Sequence, residues 1–298
     1  MKGKLLSIFL LVYLSSLSQT ECLQVKDEND LPIPYATMVI KKNNHFFVGD
    51  SSGKFCTKFL AKVSRGDTIL LSAIGYEELK TVFTSSTPIV LKQKNISLPE
   101  IIIANGEGII ETWGTKKNPG VFGGYFCSQA FSEILNSQAR IIFPEGNYKK
   151  AEIQSVAFYD QTGKGIDVPV RVRVFLLGKD SLPIGDYLKE NIVLNTKGIG
   201  WIEADLKDFG LIVPRDGIAV AIELFAINEE LYYVQTIKDN DGKKQVRKMY
   251  GFSLGREKKG AGFLTLSRFS GWYPWRVEHF NNFPCGNLVC RVKVKVWR

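Results

Sequence analysis

Short runs in which every second residue is apolar recur along most of this chain. The C-terminal run Cys290–Trp297 alternates apolar with basic residues, and the run Val168–Leu176 alternates valine first with proline and then with arginine. A period of two places successive side chains on opposite faces of a strand. Turn-forming Gly, Asn and Asp separate these runs, and aromatic residues make up 12% of the chain, which also favours strands. The pattern predicts an all-β protein.

The first part of the chain has strands of four to six residues with a turn signal every eight to twelve, which is typical of a small β-sandwich. The turn at Asp50–Gly53 needs a residue with positive φ, which Gly53 supplies. Gly75, which precedes an aromatic residue, indicates either a β-bulge or a close approach of two backbones.

Four motifs in this region occur in a fixed order. They are Pro34-Tyr35-Ala36-Thr37, Asp50-Ser51-Ser52-Gly53-Lys54-Phe55, Gly66-Asp67-Thr68-Ile69 and Ser72-Ala73-Ile74-Gly75-Tyr76-Glu77. Together they resemble the carboxypeptidase regulatory-like family over residues 23–92. The resemblance implies a transthyretin-like Greek-key β-sandwich in an exported protein of the type found in Bacteroidota. That domain carries no catalytic residues in the family, so the resemblance implies no active site here.

The 298 residues exceed what one small sandwich needs and indicate two domains. We predict a signal peptide at 1–18, the regulatory-like sandwich at 19–95, a linker and transitional segment at 96–139, and a larger jelly-roll-like antiparallel β-sandwich at 140–298. Residues 131–139 fit one or two helical turns as well as a strand.

The N-terminus predicts export. Lys2 and Lys4 precede an apolar stretch of about ten residues, and Ser16-Leu17-Ser18 forms a small-x-small cleavage site. We therefore expect a mature chain that starts at Gln19 and acts in the periplasm, at the outer surface or as a secreted protein. Lipid attachment at Cys22 is disfavoured because Glu21 precedes it, and no later apolar run has the length of a membrane-spanning helix.

Export permits disulfides, and the chain has five cysteines: Cys22, Cys56, Cys127, Cys285 and Cys290. Cys285 and Cys290 flank a Gly-Asn turn and are candidates for a bridge across a hairpin. The odd number leaves at least one free thiol.

One segment matches a catalytic motif, but only in the spacing of its residues. Gly251-Phe252-Ser253-Leu254-Gly255 matches the G-x-S-x-G nucleophile elbow. The residues that follow form a poor helix, and only His279 comes after the serine, with Glu257 and Glu278 as the acids between them. The motif therefore indicates a strand that ends in a glycine-rich turn, not a hydrolase.

Metal and nucleotide chemistry find no support in the sequence, and we expect no cofactor. The two histidines, His45 and His279, lie far apart and outside any zinc motif. Asp239-Asn240-Asp241-Gly242 offers oxygen ligands for calcium, but Tyr250 stands where an EF-hand needs glutamate. A hairpin turn between Tyr232-Tyr233-Val234 and residues 246–250 explains this segment better.

The net charge is +9, and Lys2 and Lys4 of the leader contribute two of those charges. Lys and Arg are spread along the chain, whereas nucleic-acid binders cluster them in a stripe, so we expect no nucleic-acid partner. Trp272, Tyr273 and Trp275 lie in a segment with Gly and Pro, which predicts an aromatic loop able to stack on sugar rings or anchor a partner protein. Trp113 and Trp201 are predicted to be core residues.

These observations favour a non-catalytic binding or structural module of the cell envelope, with a glycan or another envelope protein as partner. Two alternatives remain open. A glycosidase-like enzyme could use two carboxylates that are distant in sequence, provided that they face each other in a cleft. The regulatory-like module also precedes transport barrels, so an accessory role in an outer-membrane assembly is the third hypothesis.

Overall fold

The structure is a computed structural model, and it divides into two compact units. It describes residues 22–43, 45–56, 60–84, 88–94, 104, 106–116, 137–161, 167–196, 198–224, 232–238, 243–250, 254–255, 257, 265–268, 272–274 and 287–298. The first unit takes in the described residues up to Gln93, except for 43–46 and 74–76, which group with the second unit together with Lys94 and all that follows. The signal peptide predicted at 1–18 lies outside the described residues.

Twenty strands make up nearly all of the regular structure of the described residues. They are β1 (Leu23–Asp27), β2 (Thr37–Ile40), β3 (His45–Val48), β4 (Lys54–Phe55), β5 (Thr68–Ser72), β6 (Leu79–Val82), β7 (Ile89–Leu91), β8 (Ile109–Gly114), β9 (Ser137–Ile142), β10 (Lys150–Asp160), β11 (Pro169–Leu177), β12 (Pro183–Asp186), β13 (Ile192–Asn195), β14 (Gly200–Asp205), β15 (Ile218–Leu224), β16 (Tyr232–Lys238), β17 (Lys244–Tyr250), β18 (Thr265–Arg268), β19 (Trp272–Pro274) and β20 (Cys290–Trp297).

The predicted all-β class is confirmed. One turn of 3-10 helix at Lys207–Phe209 interrupts the strands, and among the described residues only Leu60 has α-helical conformation. No helix in this part of the chain is both long and apolar enough to cross a bilayer.

Two sheets lie within the N-terminal region, in the orders β4-β1-β7 and β3-β2-β5-β6. Strand β1 alternates buried and partly buried residues, as its period of two requires. It pairs antiparallel with β4 and parallel with β7. A disulfide joins Cys22 to Cys56, directly beside the cross-strand pair of Leu23 and Phe55. The bridge therefore fastens the first strand to the edge of its sheet.

The turn between β3 and β4 has the conformation that its sequence predicts. The Asp50 carboxylate accepts hydrogen bonds from the backbone N–H groups of Ser52 and Lys54, at 2.8 and 2.9 Å. Gly53 has φ +69°, so the need for a residue with positive φ is confirmed. Gly75 also has positive φ, at +82°, but an added Cβ would meet no atom within 4 Å. Gly75 is therefore not required by steric crowding, and its positive φ accounts for the glycine.

The second unit contains a four-stranded sheet in the order β14-β10-β20-β8 and a larger sheet in the order β12-β11-β15-β9-β18-β19, in which β13 also pairs with β11. Their pairs are antiparallel. One apolar cluster collects valines from β11 and β20 with Ile and Val of β10, β15 and neighbouring loops. This shared core explains the apolar alternate residues of β11 and β20.

Two sequence predictions need adjustment. The segment 96–139 is not only a linker, because β8 lies inside it as a member of the four-stranded sheet and β9 begins inside it at Ser137. Residues 137–139, left open between helix and strand, are strand. The hairpin predicted around 239–242 is confirmed by β16 and β17, which pair from Tyr232 with Tyr250 to Lys238 with Lys244. The calcium candidates of its turn lie outside the described residues.

Candidate binding surface on the four-stranded sheet

The aromatic segment proposed from sequence is only partly described. Trp272 and Tyr273 belong to β19, which pairs with β18 at the end of the larger sheet. The prediction of a loop is therefore wrong for these two residues, because they lie in a strand. Pro274 is the last residue of that strand, which lies at the sheet edge, where proline is tolerated. Trp275 lies outside the described residues.

Trp113 and Trp201, which the sequence analysis assigned to the core, differ in burial. Trp113 is 1% exposed, packs beside Tyr148 and donates its indole N–H to Glu111 at 3.2 Å, so its assignment is confirmed. Trp201 is only half-buried and lies on the outward face of β14. Its assignment to the core is wrong, because Ile202 and Ala204 take the inward positions of that strand.

Trp201 belongs to an outward face that we call the aromatic face. Strand β20 contributes four residues to this face. The inward residues of β20 are apolar and buried, whereas the alternate, outward residues are polar or aromatic and half-buried. The pairing of β20 with β10, and of β10 with β14, brings further outward residues beside them. The face comprises Lys150, Glu152, Ser155, Tyr159, Trp201, Glu203, Arg291, Lys293, Lys295 and Trp297.

One end of the aromatic face is organised around Trp201. Tyr159 lies directly across the strand pair and meets the indole edge to face, with ring centroids 5.3 Å apart. The guanidinium carbon of Arg291 lies 4.0 Å from the centroid of the Trp201 ring. Such aromatic pairs and cation–π contacts hold both rings in fixed orientations. Tyr159 itself is only 9% exposed, so this end presents the half-buried indole of Trp201, which Tyr159 holds in place and which has a cation on its ring.

Glu203 anchors the cations at this end. Its carboxylate accepts hydrogen bonds from Ser155 Oγ at 2.6 Å and Lys293 Nζ at 2.7 Å, and Arg291 lies 3.9 Å away. Partial burial alone would raise the pKa of Glu203, but the hydrogen bonds from Lys293 and Ser155 outweigh burial and lower it. The carboxylate thus stays charged and fixes Lys293 in the face.

The other end is organised around Trp297. The ammonium groups of Lys150 and Lys295 lie 4.6 and 5.2 Å from the centroid of its ring. Its indole N–H donates to the carbonyl of Gly106 at 3.0 Å. A Cβ on Gly108 would come within 2.8 Å of the ring, so only glycine permits the backbone to pass there. The ring is therefore fixed and has two ammonium groups beside it.

Strand β10 connects the two ends. Tyr159 pairs with Trp201 and Lys150 pairs with Trp297, nine positions earlier on the same strand. At about 3.3 Å per residue the two indoles lie roughly 30 Å apart along the sheet. The face can therefore contact an extended ligand at two separate aromatic points, with cations at each.

A second concentration of charge is buried in the larger sheet. Arg171 and Arg173 take alternate positions of β11, opposite in face to its valines, as the sequence predicts. Arg171 donates to Glu223 at 2.7 Å through Nε and to Asn191 at 2.9 Å through Nη1. Arg173 forms a bidentate pair with Asp186 at 2.8 and 2.6 Å. Both faces of this part of the sheet are buried, which the alternation alone did not indicate.

This buried network favours ion pairing over acid–base chemistry. Burial opposes the charge on Arg173, but the carboxylates of Asp186 and Glu223 outweigh it and raise the pKa of Arg173. A general acid needs a carboxyl whose charged form is disfavoured, whereas guanidinium neighbours favour that form. The network therefore supports a structural role.

Glu257, an acid considered beside the G-x-S-x-G motif, is also committed to structure. Its carboxylate accepts hydrogen bonds from Arg140 Nη1 and Thr115 Oγ1, both at 2.7 Å. The same Arg140 Nη1 donates to the carbonyl of Leu288 at 2.6 Å. Residues 251–253 of the motif and His279 lie outside the described residues.

Cys290 is a free, fully buried thiol, so the proposed bridge between Cys285 and Cys290 is wrong. Burial raises the pKa of Cys290 to about 12. In β20 the residue takes an inward position beside Phe158, where it packs as a small apolar side chain.

A groove with a volume of about 340 Å³ lies between β6 and β7 of the first unit. Its lining consists of Leu79, Val82, Phe83, Pro88, Ile89 and neighbouring residues that carry no charge. It therefore brings together no groups for catalysis. Among the described residues, no cluster of three or more His, Cys, Asp or Glu is placed to hold a metal ion.

Comparison with known proteins adds no assignment: no family model, no curated protein and no solved structure matches this chain. The resemblance of residues 23–92 to the carboxypeptidase regulatory-like family therefore stays a prediction.

Proposed function

We propose that this chain is an exported, non-catalytic binding protein and that its aromatic face binds polysaccharide. The observation that carries the proposal is the pair of half-buried tryptophans, Trp201 and Trp297, each held in place with cations beside its ring. Indole rings stack on the apolar faces of sugar rings, and adjacent charged groups bind hydroxyl or acidic substituents. A periplasmic, outer-surface or secreted location is part of the proposal.

Two features support export. The first is the charged and apolar leader at residues 1–18. The second is the disulfide between Cys22 and Cys56, because such bonds form and persist in oxidising compartments. The mature protein would then meet envelope or extracellular glycans.

The absence of a reactive centre is the second part of the proposal. It is supported by the engagement of Glu223 and Asp186 with arginines and of Glu257 with Arg140. A glycosidase would need two carboxyls roughly 5–10 Å apart in an open cleft, one of them with a raised pKa. The three carboxylates named here are instead paired with guanidinium groups.

A polysaccharide array tests the proposal. The mature chain, Trp201→Ala, Trp297→Ala and the double variant are applied to immobilised neutral and acidic polysaccharides. We expect the wild type to bind at least one polymer, each single variant to lose about tenfold in affinity, and the double variant to lose more. Phe143→Ala serves as the control, because Phe143 is an exposed aromatic residue, 46% accessible, that is not part of the aromatic face.

The same experiment can refute the proposal in two ways. If no immobilised polymer binds the wild type, the proposal that this chain binds polysaccharide is refuted. If a polymer binds all variants as tightly as the wild type, the ligand binds elsewhere and the aromatic face has another role.

A further inference from the structure

A row of cations runs along the aromatic face from one indole to the other. Arg291, Lys293 and Lys295 are successive outward residues of β20, because they alternate with buried valines. At about 3.3 Å per residue the row is roughly 13 Å long. Arg291 lies beside Trp201 at one end, and Lys295 lies beside Trp297 at the other.

The cations of the aromatic face outnumber its acids. Glu152 and Glu203 are the acids, against Lys150 and the three cations of the row. Lys150 forms an ion pair with Glu152 at 2.8 Å, and Lys293 forms one with Glu203 at 2.7 Å. These two pairs use both acids, and the cations at the two ends of the row remain in excess.

The guanidinium of Arg291 is held in place without a hydrogen bond to the described residues. It lies on the ring of Trp201, and its Nη2 is 3.9 Å from Glu203, which is beyond hydrogen-bond distance. Its buried Nε has no hydrogen-bond partner among the described residues either. Buried polar groups nearly always have a partner, and a guanidinium offers a fork of donors that fits a carboxylate. The side chain is 22% exposed, so it is accessible to a ligand.

Lys295 has the equivalent position at the other end of the row. Its ammonium group lies 5.2 Å from the centroid of the Trp297 ring and forms no ion pair within the part of the chain that the structure describes. It stands opposite Glu152 in the strand register, but that carboxylate is paired with Lys150. Each indole therefore has beside it one cation that no carboxylate of the described residues binds through a hydrogen bond.

Two further acids border the aromatic face without neutralising these cations. Asp205, the next outward residue of β14, forms an ion pair with Lys207 at 3.1 Å. Glu107 precedes Gly108 near Trp297 and is exposed, but it lies within ion-pair distance of no cation among the described residues. The positive excess at the two indoles is therefore not removed by its surroundings.

We propose that the aromatic face selects an acidic polysaccharide, whose carboxylates bind Arg291 and Lys295 while its sugar rings pack beside Trp201 and Trp297. This inference rests on the proposed function, because it assigns the ligand class of the same surface. Hydrogen bonds between a cation and a carboxylate are about twice as strong as those between neutral groups. A carboxylated sugar therefore gains more from these two residues than a neutral sugar does.

The test compares polygalacturonate with its fully methyl-esterified form, which has the same sugar backbone without the charge. Binding of the mature chain to each polymer is measured at about 0.15 M salt, where attraction between distant charges is largely screened. We expect the acid to bind about tenfold more tightly than the ester. The readout is the ratio of the two affinities, because a misfolded variant loses binding to both polymers without a change in this ratio.

The variants remove the two cations separately and together. Arg291→Gln and Lys295→Gln should each lower the ratio about threefold, and the double variant should bring it to within about twofold of one. The control changes Lys62 and Lys80, which are exposed lysines of the first unit, together to Gln. It has the same net charge as the double variant and should keep the ratio of the wild type. Arg291→Lys preserves the charge and should keep at least half of that ratio.

The outcomes separate this proposal from the proposed function. A ratio near one for the wild type, with Trp201→Ala still weakening the binding of both polymers, would overturn the selectivity for acid and leave the proposed function intact. An equal fall of the ratio in the lysine control would also overturn it, because net charge alone would then explain the preference. If the wild type does not bind polygalacturonate, the proposal fails, and the polysaccharide array decides separately whether the proposed function fails with it.

Discussion

The guanidinium of Arg173 lies across the carboxylate of Asp186, with Nε 2.8 Å from Oδ1 and Nη2 2.6 Å from Oδ2. Both side chains are buried, and Nη1 of the same arginine is 3.6 Å from a carboxylate oxygen of Glu223. Buried charges are tolerated only when they are paired and hydrogen-bonded. This pair therefore joins β11 to β12 through contacts that a neutral substitute cannot reproduce.

Asp186→Asn should destabilise the second unit by about 3 kcal/mol, because it leaves the guanidinium of Arg173 buried with only the more distant Glu223 to balance it. Tryptophan fluorescence during guanidinium unfolding measures the change, since all five tryptophans follow residue 112. Lys207→Ala is the matched control in the same unit. Its partner is Asp205, and this exposed pair should leave the unfolding curve nearly unchanged. Equal small effects in both variants would show that the buried pair has no special weight.

Replacing both Cys22 and Cys56 with Ser should destabilise the first unit by about 3–4 kcal/mol, since the bridge spans 34 positions and restricts the unfolded chain. Hydrogen exchange of β1 amides reports the loss locally, because β1 begins one residue after Cys22. Treatment of the wild type with reductant should have the same effect. Unchanged exchange in β1 after reduction would contradict the role given to this bridge.

Cys290 should resist alkylation in the native protein. It is fully buried and burial raises its pKa to about 12, so almost no thiolate forms at neutral pH. Iodoacetamide labelling of the unreduced wild type, followed by peptide mass spectrometry, should leave Cys290 unmodified before unfolding and fully modified after it. Rapid native labelling would contradict the burial of the thiol, and a Cys290 that stays unmodified in the unfolded, unreduced chain would restore the bridge to Cys285.

Gly53→Ala and Gly75→Ala form a matched pair, because both glycines have positive φ and only one is crowded. A Cβ at Gly53 would lie 2.7 Å from the carbonyl oxygens of Val25 and Ile33, whereas one at Gly75 meets nothing within 4 Å. We expect a loss of about 2–4 kcal/mol at Gly53 and about 1 kcal/mol at Gly75, measured by hydrogen exchange of the amides around each glycine. Equal losses of stability in the two variants would show that the structure accommodates a Cβ at Gly53 without cost.

The strands could be predicted from sequence wherever one face is polar. Cys290–Trp297 alternates strictly, and the structure buries every second residue of it. The arginines of β11 look equally solvent-exposed by that rule, yet Arg171 is 1% exposed. The sequence did contain one signal, because β15 is apolar at every position except Glu223. Such a nearly continuous apolar run is typical of a strand that is buried on both faces.

The aromatic face could not be predicted because it depends on pairing between distant strands. Trp201 and Tyr159 become neighbours only through the register of β14 on β10, and Lys150 meets Trp297 only through β20. Sequence reasoning searched instead for aromatics that are adjacent in the chain, which led to Trp272, Tyr273 and Trp275.

Hydroxyl-radical footprinting of the chain saturated with a polysaccharide that it binds tests the central claim most directly. Labelling of Trp201 and Trp297 should fall at least threefold on binding, while labelling of the exposed Phe143 stays constant, and the polymer should gain no new reducing ends. Unchanged labelling of both tryptophans at saturation, or progressive cleavage of the polymer, would contradict the account of a non-catalytic protein that binds through its aromatic face.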